Sequence, residues 1–74
     1  MKPKRWYQKR LGKYFDEYYG LYEDTAEYYV DPDVNQWMFN IPELNIKVKL
    51  ICHDDETVEE RRYYVHKKED GIWN

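Results

Sequence analysis

The segment Leu44-Asn45-Ile46-Lys47-Val48-Lys49-Leu50-Ile51-Cys52-His53 decides how this chain folds. Leu44, Ile46, Val48, Leu50 and Cys52 alternate with Asn45, Lys47, Lys49, Ile51 and His53. A period of two sends successive side chains to opposite faces, so the segment reads as a strand with one apolar face. The polar run Asp54-Asp55-Glu56-Thr57 turns the chain, and residues 58–66 supply an antiparallel partner. Pairing Val48 with Tyr63 places Tyr63 and Val65 on the apolar face and sets Lys49 near Arg62 and Ile51 near Glu60. That register leaves Glu59 and Arg61 on the buried side near the turn, so the strand ends are expected to twist out of the core.

Working outward, Trp37-Met38-Phe39-Asn40-Ile41 reads as a second strand with Trp37, Phe39 and Ile41 on one face. Pro42 closes it, because proline cannot donate to a central ladder. Glu27-Tyr28-Tyr29-Val30 is rich in strand formers, and Asp31-Pro32-Asp33 reads as the turn that follows. At the other end, Asp70-Gly71 marks a turn after which Ile72 and Trp73 fold back as a plug.

The N-terminal region has a different period. Tyr7, Leu11, Tyr14, Tyr18, Leu21 and Tyr28, with Thr25 in the remaining slot, follow a 4-3-4-3 spacing that lines one helix face. Gly12 and Gly20 each cost about 1 kcal/mol relative to Ala inside a helix. Bases at the start and acids near the end also oppose the helix dipole. The pattern predicts a helix over residues 4–19, with Pro3 near its first turn and Gly20 at its end. Reading residues 14–23 as further strands gives an all-β alternative, but their alternation carries no polarity contrast. The expected fold is α+β: an N-terminal helix packed on a small three- to four-stranded antiparallel meander sheet, with residues 1–74 forming a single small domain.

A chain of 74 residues buries only about 60% of its unfolded surface, so such domains draw stability from staples or partners. The lone cysteine, Cys52, forms no internal disulfide and suits a reducing compartment. No apolar run approaches the roughly 20 residues needed to span a bilayer, and no apolar stretch follows the basic start. The expectation is a soluble, cytoplasmic protein with no membrane partner.

Charge is divided along the chain. Residues 1–13 carry six bases (Lys2, Lys4, Arg5, Lys9, Arg10, Lys13) and no acid. Residues 14–46 carry eight acids (Asp16, Glu17, Glu23, Asp24, Glu27, Asp31, Asp33, Glu43), no Lys or Arg, and nine of the fourteen aromatic residues. Charges and rings together are materials of recognition. Tyrosine, present nine times, offers large contact area at low entropic cost, although a thin core also consumes aromatic rings.

Catalytic and metal chemistry find little here. The run Cys52-His53-Asp54-Asp55-Glu56 is rich in ligand types. Neighbouring strand residues point to opposite faces, however, and no Cys or His pair sits at zinc spacing; the other histidine is His66. The chain has no serine, and Cys52 lies on the apolar side of a strand, where a thiol is usually an inert hydrophobe. Its glycines form no phosphate loop. The expectation is a non-enzymatic protein without cofactor or metal.

Three interaction readings follow. In the first, Asp16, Glu17, Tyr18, Tyr19, Tyr22, Glu23, Asp24, Glu27, Tyr28, Asp31 and Asp33, with Tyr29, form an acidic tyrosine-rich surface. It docks into the basic groove of a larger nucleic-acid-processing enzyme, such as a defence nuclease. In size and composition the chain is similar to the small acidic single-domain proteins with which bacteriophages and mobile elements block host enzymes, a likeness that implies such an inhibitory role. In the second, Lys4, Arg5, Trp6, Lys9, Arg10 and Lys13 bind nucleic acid directly, the bases on phosphates and the rings stacked on bases. In the third, the aromatic face joins two copies as a homodimer.

Overall fold

The computed structural model describes residues 1–30 and 33–64. Helix α1 spans Lys4–Tyr19 and begins at Pro3, whose backbone is extended. The α-helix ends before Gly20, which keeps a right-handed conformation (φ −57°) and leads into a 3₁₀ turn over Gly20–Tyr22. Four strands follow: β1 Glu27–Tyr28, β2 Gln36–Ile41, β3 Ile46–Cys52 and β4 Val58–Tyr64. They form one antiparallel meander in the order β1-β2-β3-β4. The α+β architecture expected from the pattern is the one observed. The expectations for Asp31-Pro32, Val65, His66, Asp70-Gly71, Ile72 and Trp73 fall outside the described residues.

The helix covers one face of the sheet. Its buried residues are Tyr7, Leu11, Phe15 and Tyr19, a strict repeat of four. Against them the sheet sets Phe39, Ile41, Ile46, Val48, Leu50 and Cys52. Phe15 is the hub: its ring meets Phe39 edge-on at 5.0 Å and approaches Tyr19, Tyr28 and Trp37 within 6.1 Å. This corrects the expected helix face. Tyr7 and Leu11 are buried and Tyr14 half-buried, but Tyr18 and Leu21 are exposed, and Phe15 and Tyr19 take the inward positions. A repeat of four drifts across a straight helix by about 40° per step, and a short helix crossing a twisted sheet tolerates that drift.

Leu44 is not part of β3. It ends a 3₁₀ turn over Pro42–Leu44 and is exposed. Asn45 then takes a left-handed conformation (φ 54°), which asparagine accepts more readily than most residues. The β3–β4 pairing also differs from the expected one by a single residue: Val48 lies opposite Arg62, and Tyr63 lies opposite Lys47. A slip of one exchanges the two faces of a strand. Val58, Glu60, Arg62 and Tyr64 therefore share the helix-side face, while Glu59, Arg61 and Tyr63 lie on the open face.

The turn between β3 and β4 fixes this register. Glu56 N–H donates to His53 O at 2.9 Å, His53 N–H donates to Thr57 O at 2.8 Å, and Glu56 adopts φ 74°. A left-handed residue after a tight turn adds one residue to the loop, and a glutamate there gives no glycine-like signal in the sequence.

Gly20 needs none of glycine's freedom. Its φ is right-handed, and a Cβ there would meet nothing within 4 Å. Gly20→Ala is expected to raise the unfolding free energy by about 0.4–1 kcal/mol. Thermal unfolding followed by circular dichroism would show this as an upward shift of roughly 2–8 °C.

Candidate functional site

The helix is seated by polar tips of its own core aromatics. Tyr14 OH donates to Glu60 Oε1 at 2.7 Å, and Tyr19 OH donates to the other oxygen of the same carboxylate. Arg62 Nε reaches Glu60 Oε2 at 2.5 Å and Tyr19 OH at 3.1 Å. Tyr7 OH donates to Asp54 in the β3–β4 turn. On the opposite flank Gln8 accepts from the Trp37 indole N–H and donates to Val34 O at 3.0 Å. Each buried ring thus finds a partner for its polar end, as burial demands.

These contacts shift the groups involved. Burial alone would raise the Glu60 carboxyl, but the donors Tyr19, Tyr14 and Arg62 outweigh it and hold it below the usual glutamate range. Burial first, and then the bond to Glu60, push Tyr19 up to about 12 and raise Tyr14 as well. Burial also raises the Cys52 thiol, which faces the core away from nucleophile chemistry.

With the helix held in place, the charged segments occupy separate regions. Among the described residues, ion pairs join the N-terminus to Asp54, Arg61 to Glu59 and Arg62 to Glu60, and His53 Nε2 lies 3.2 Å from Glu59 Oε1. None joins the bases of residues 4–13 to the acids of residues 16–33.

The acidic set extends from α1 through the 3₁₀ turn to β1 and the segment beyond it. Burial chiefly raises the Tyr28 hydroxyl, with smaller contributions from Glu23 and Asp16, and the Tyr28 ring on edge strand β1 lies 5.7 Å from that of Phe15, the neighbour of Asp16 on α1. Glu27 on that strand is exposed, and Thr25 holds Glu43 close by through a hydrogen bond. A depression of about 190 Å³ beside Glu27 is lined by Asn40, Ile41, Pro42, Asn45 and Ile46. Tyr18 belongs elsewhere: its ring lies 4.5 Å from that of Tyr14, whose hydroxyl points to β4. Tyr19 is buried and Tyr22 half-buried. Glu17, Asp24 and Asp33 are exposed, and Asp31 is outside the described residues.

The basic set lies on the outer side of α1. Lys4, Arg5, Lys9 and Lys13 are exposed, whereas Trp6 and Arg10 are half-buried. Arg10 Nε donates to Glu56 O at 3.0 Å, and Trp6, Lys9, Arg10, Lys13 and Glu56 line a cleft of about 270 Å³.

Sequence reasoning assigned no role to Glu60 or to the open sheet face, and it placed Tyr29 with the acidic set, whereas Tyr29 packs against Lys47 and Asn40. Glu60 gave no signal of its own, because its function depends on a register that β4 barely encodes. The open sheet face, bearing Lys47, Lys49, Arg61, Tyr29 and Tyr63, follows from the alternation once β3 and β4 are paired. There Lys47 Nζ lies 4.8 Å from the Tyr29 ring centre, and Asn40 Nδ2 donates to Tyr29 OH at 2.7 Å.

The site and fold together define a one-helix, four-strand α+β domain with segregated charge. Among the described residues, no three His, Cys, Asp or Glu side chains converge on a metal position, and no helix is long and apolar enough to cross a membrane. Comparison with protein-family models, with curated proteins and with solved structures gives no match.

The acid response of the fold follows from Glu60. Its folded pKa lies below the unfolded value, so its contribution is present above the ordinary carboxylate range and is lost as pH falls through the folded value. Stability is expected to fall below about pH 4. Glu60→Gln should cost about 1–3 kcal/mol at neutral pH, because two part-buried hydroxyls lose their shared anion. It should also flatten the acid limb, leaving the part due to Glu59 and Asp55, which are likewise held low. Urea unfolding at several pH values measures both effects.

Proposed function

We propose that this protein is a non-enzymatic interaction domain that docks its acidic β1 edge onto a larger protein with a basic groove. The partner class is a nucleic-acid-processing enzyme, such as a defence nuclease, held off its substrate in the manner of a phage-encoded inhibitor. The observation that carries this reading is the packing of Tyr28 on β1 against Phe15 of α1 at 5.7 Å, which sets the edge strand beside the helical turn bearing Asp16, with no base among the described residues paired to Asp16, Glu23 or Glu27.

The chemistry is that of a nucleic-acid stand-in. Spaced carboxylates speed the approach to a basic groove and select against acidic surfaces. Tyr28, 55% exposed and backed by Phe15, Trp37 and Phe39, gives a rigid ring that needs little ordering on contact. The depression beside Glu27 offers acceptors above an apolar floor of Ile41 and Ile46, which suits the stem and head of an Arg or Lys from the partner. Tyr18, Tyr19 and Tyr22 are not required at this edge.

The test is inhibition and capture across purified nucleases and nucleic-acid-binding enzymes, with wild type beside Asp16→Lys/Glu23→Lys/Glu27→Lys. The variant is expected to keep its circular dichroism spectrum and to associate at least about tenfold more slowly with any enzyme the wild type inhibits. Equal inhibition by both proteins would remove the acidic edge from the account.

A further inference from the structure

We infer that the cleft lined by Trp6, Lys9, Arg10, Lys13 and Glu56 is a second binding site, which takes the phosphate backbone of a single-stranded nucleic acid. It lies on a different part of the molecule from the acidic β1 edge and does not depend on the role proposed for that edge.

The first argument is the spacing. Trp6, Lys9, Arg10 and Lys13 stand at intervals of three and four, so they form one stripe on α1. From Trp6 to Lys13 the stripe covers about 10 Å of helix, enough to face a short run of phosphates on one strand.

The second argument is the cost. Like charges at these intervals repel. No acid among the described residues pairs with Lys9, Arg10 or Lys13. An anionic ligand removes this penalty, and the one acid lining the cleft, Glu56, meets Arg10 through its backbone carbonyl.

The third argument is shape. The stripe is the wall of a concavity of about 270 Å³, not a flat face. Arg10 is anchored by the Glu56 carbonyl at 3.0 Å, so one cation is already ordered. Trp6 is half-buried, meets the Tyr7 ring at 5.2 Å in a T-shaped contact, and has Lys2 Nζ 5.2 Å from its ring centre, so a base that stacks on the indole takes the place of the Lys2 side chain. The ring accounts for the preference for a single strand, whose bases are free to stack, over a duplex.

The open face of the sheet is the competing surface, since it also bears bases and tyrosines. Its Arg61 is paired with Glu59 at 2.6 Å and its Lys47 lies over Tyr29, so less of its charge is available.

The test is fluorescence anisotropy of a labelled single strand of about 12 nucleotides. With three bases engaged, the slope of log affinity on log salt is about −2, a loss of roughly 20-fold between about 50 mM and about 200 mM salt. Lys9→Glu/Lys13→Glu should abolish binding at the lower salt with the circular dichroism spectrum unchanged. Lys47→Ala/Lys49→Ala on the open face and Asp16→Lys/Glu23→Lys on the acidic edge should retain it. Absence of binding at low salt would overturn the inference. So would binding that survives Lys9→Glu/Lys13→Glu or that is lost with Lys47→Ala/Lys49→Ala. A salt-sensitive rise in molar mass without oligonucleotide binding would assign the cleft to the acidic edge of a second copy, and would also overturn it.

Discussion

A single carboxylate decides where the helix sits. Glu60 receives the hydroxyls of Tyr14 and Tyr19 from α1 and the guanidinium of Arg62 from its own strand. Without that anion, two large rings would bring hydroxyls into a part-buried layer with nothing to bond. With it, the layer is satisfied and the helix has one preferred position along the sheet. The aliphatic core beneath, from Leu11 to Val48 and Leu50, supplies area without direction. Direction comes from the polar ends: Tyr7 on Asp54, Gln8 on Trp37, and the two tyrosines on Glu60.

That seating has a consequence for the charges. The helix holds its basic turns over the β3–β4 loop, where Arg10 meets Glu56, and its acidic turn beside β1. A tether of this kind allows a small domain to keep unneutralised charge of both signs without the halves collapsing on each other. Leaving these charges unpaired forgoes only exposed ion pairs, which are individually weak. It preserves two surfaces of opposite character on one short chain.

Much of this was legible in the residues. Pro3 and Gly20 bracket the helix, and the alternation from Ile46 to Cys52 specifies β3 and its buried face. The helix face was ambiguous because positions 14, 15, 18 and 19 are all aromatic, so hydrophobicity cannot choose between Tyr14/Tyr18 and Phe15/Tyr19. The register of β4 was hidden for a related reason. Its two faces, Val58-Glu60-Arg62-Tyr64 and Glu59-Arg61-Tyr63, each mix an acid, a base and a tyrosine, so the period of two carries no contrast. The left-handed Glu56 in the turn settled the pairing, and of the two left-handed non-glycine positions among the described residues Asn45 alone advertised itself by type. The basic stripe was readable from spacing, but its concavity required the neighbouring loop.

The most direct test of the seating is a double-mutant cycle between helix and sheet, using Tyr19→Phe, Glu60→Gln and the pair together, followed by urea unfolding at neutral pH. The account predicts a coupling free energy of about 1 kcal/mol or more, since the second substitution should cost little once the first has broken the contact. Additivity within about 0.3–0.5 kcal/mol would show that Glu60 does not hold the helix.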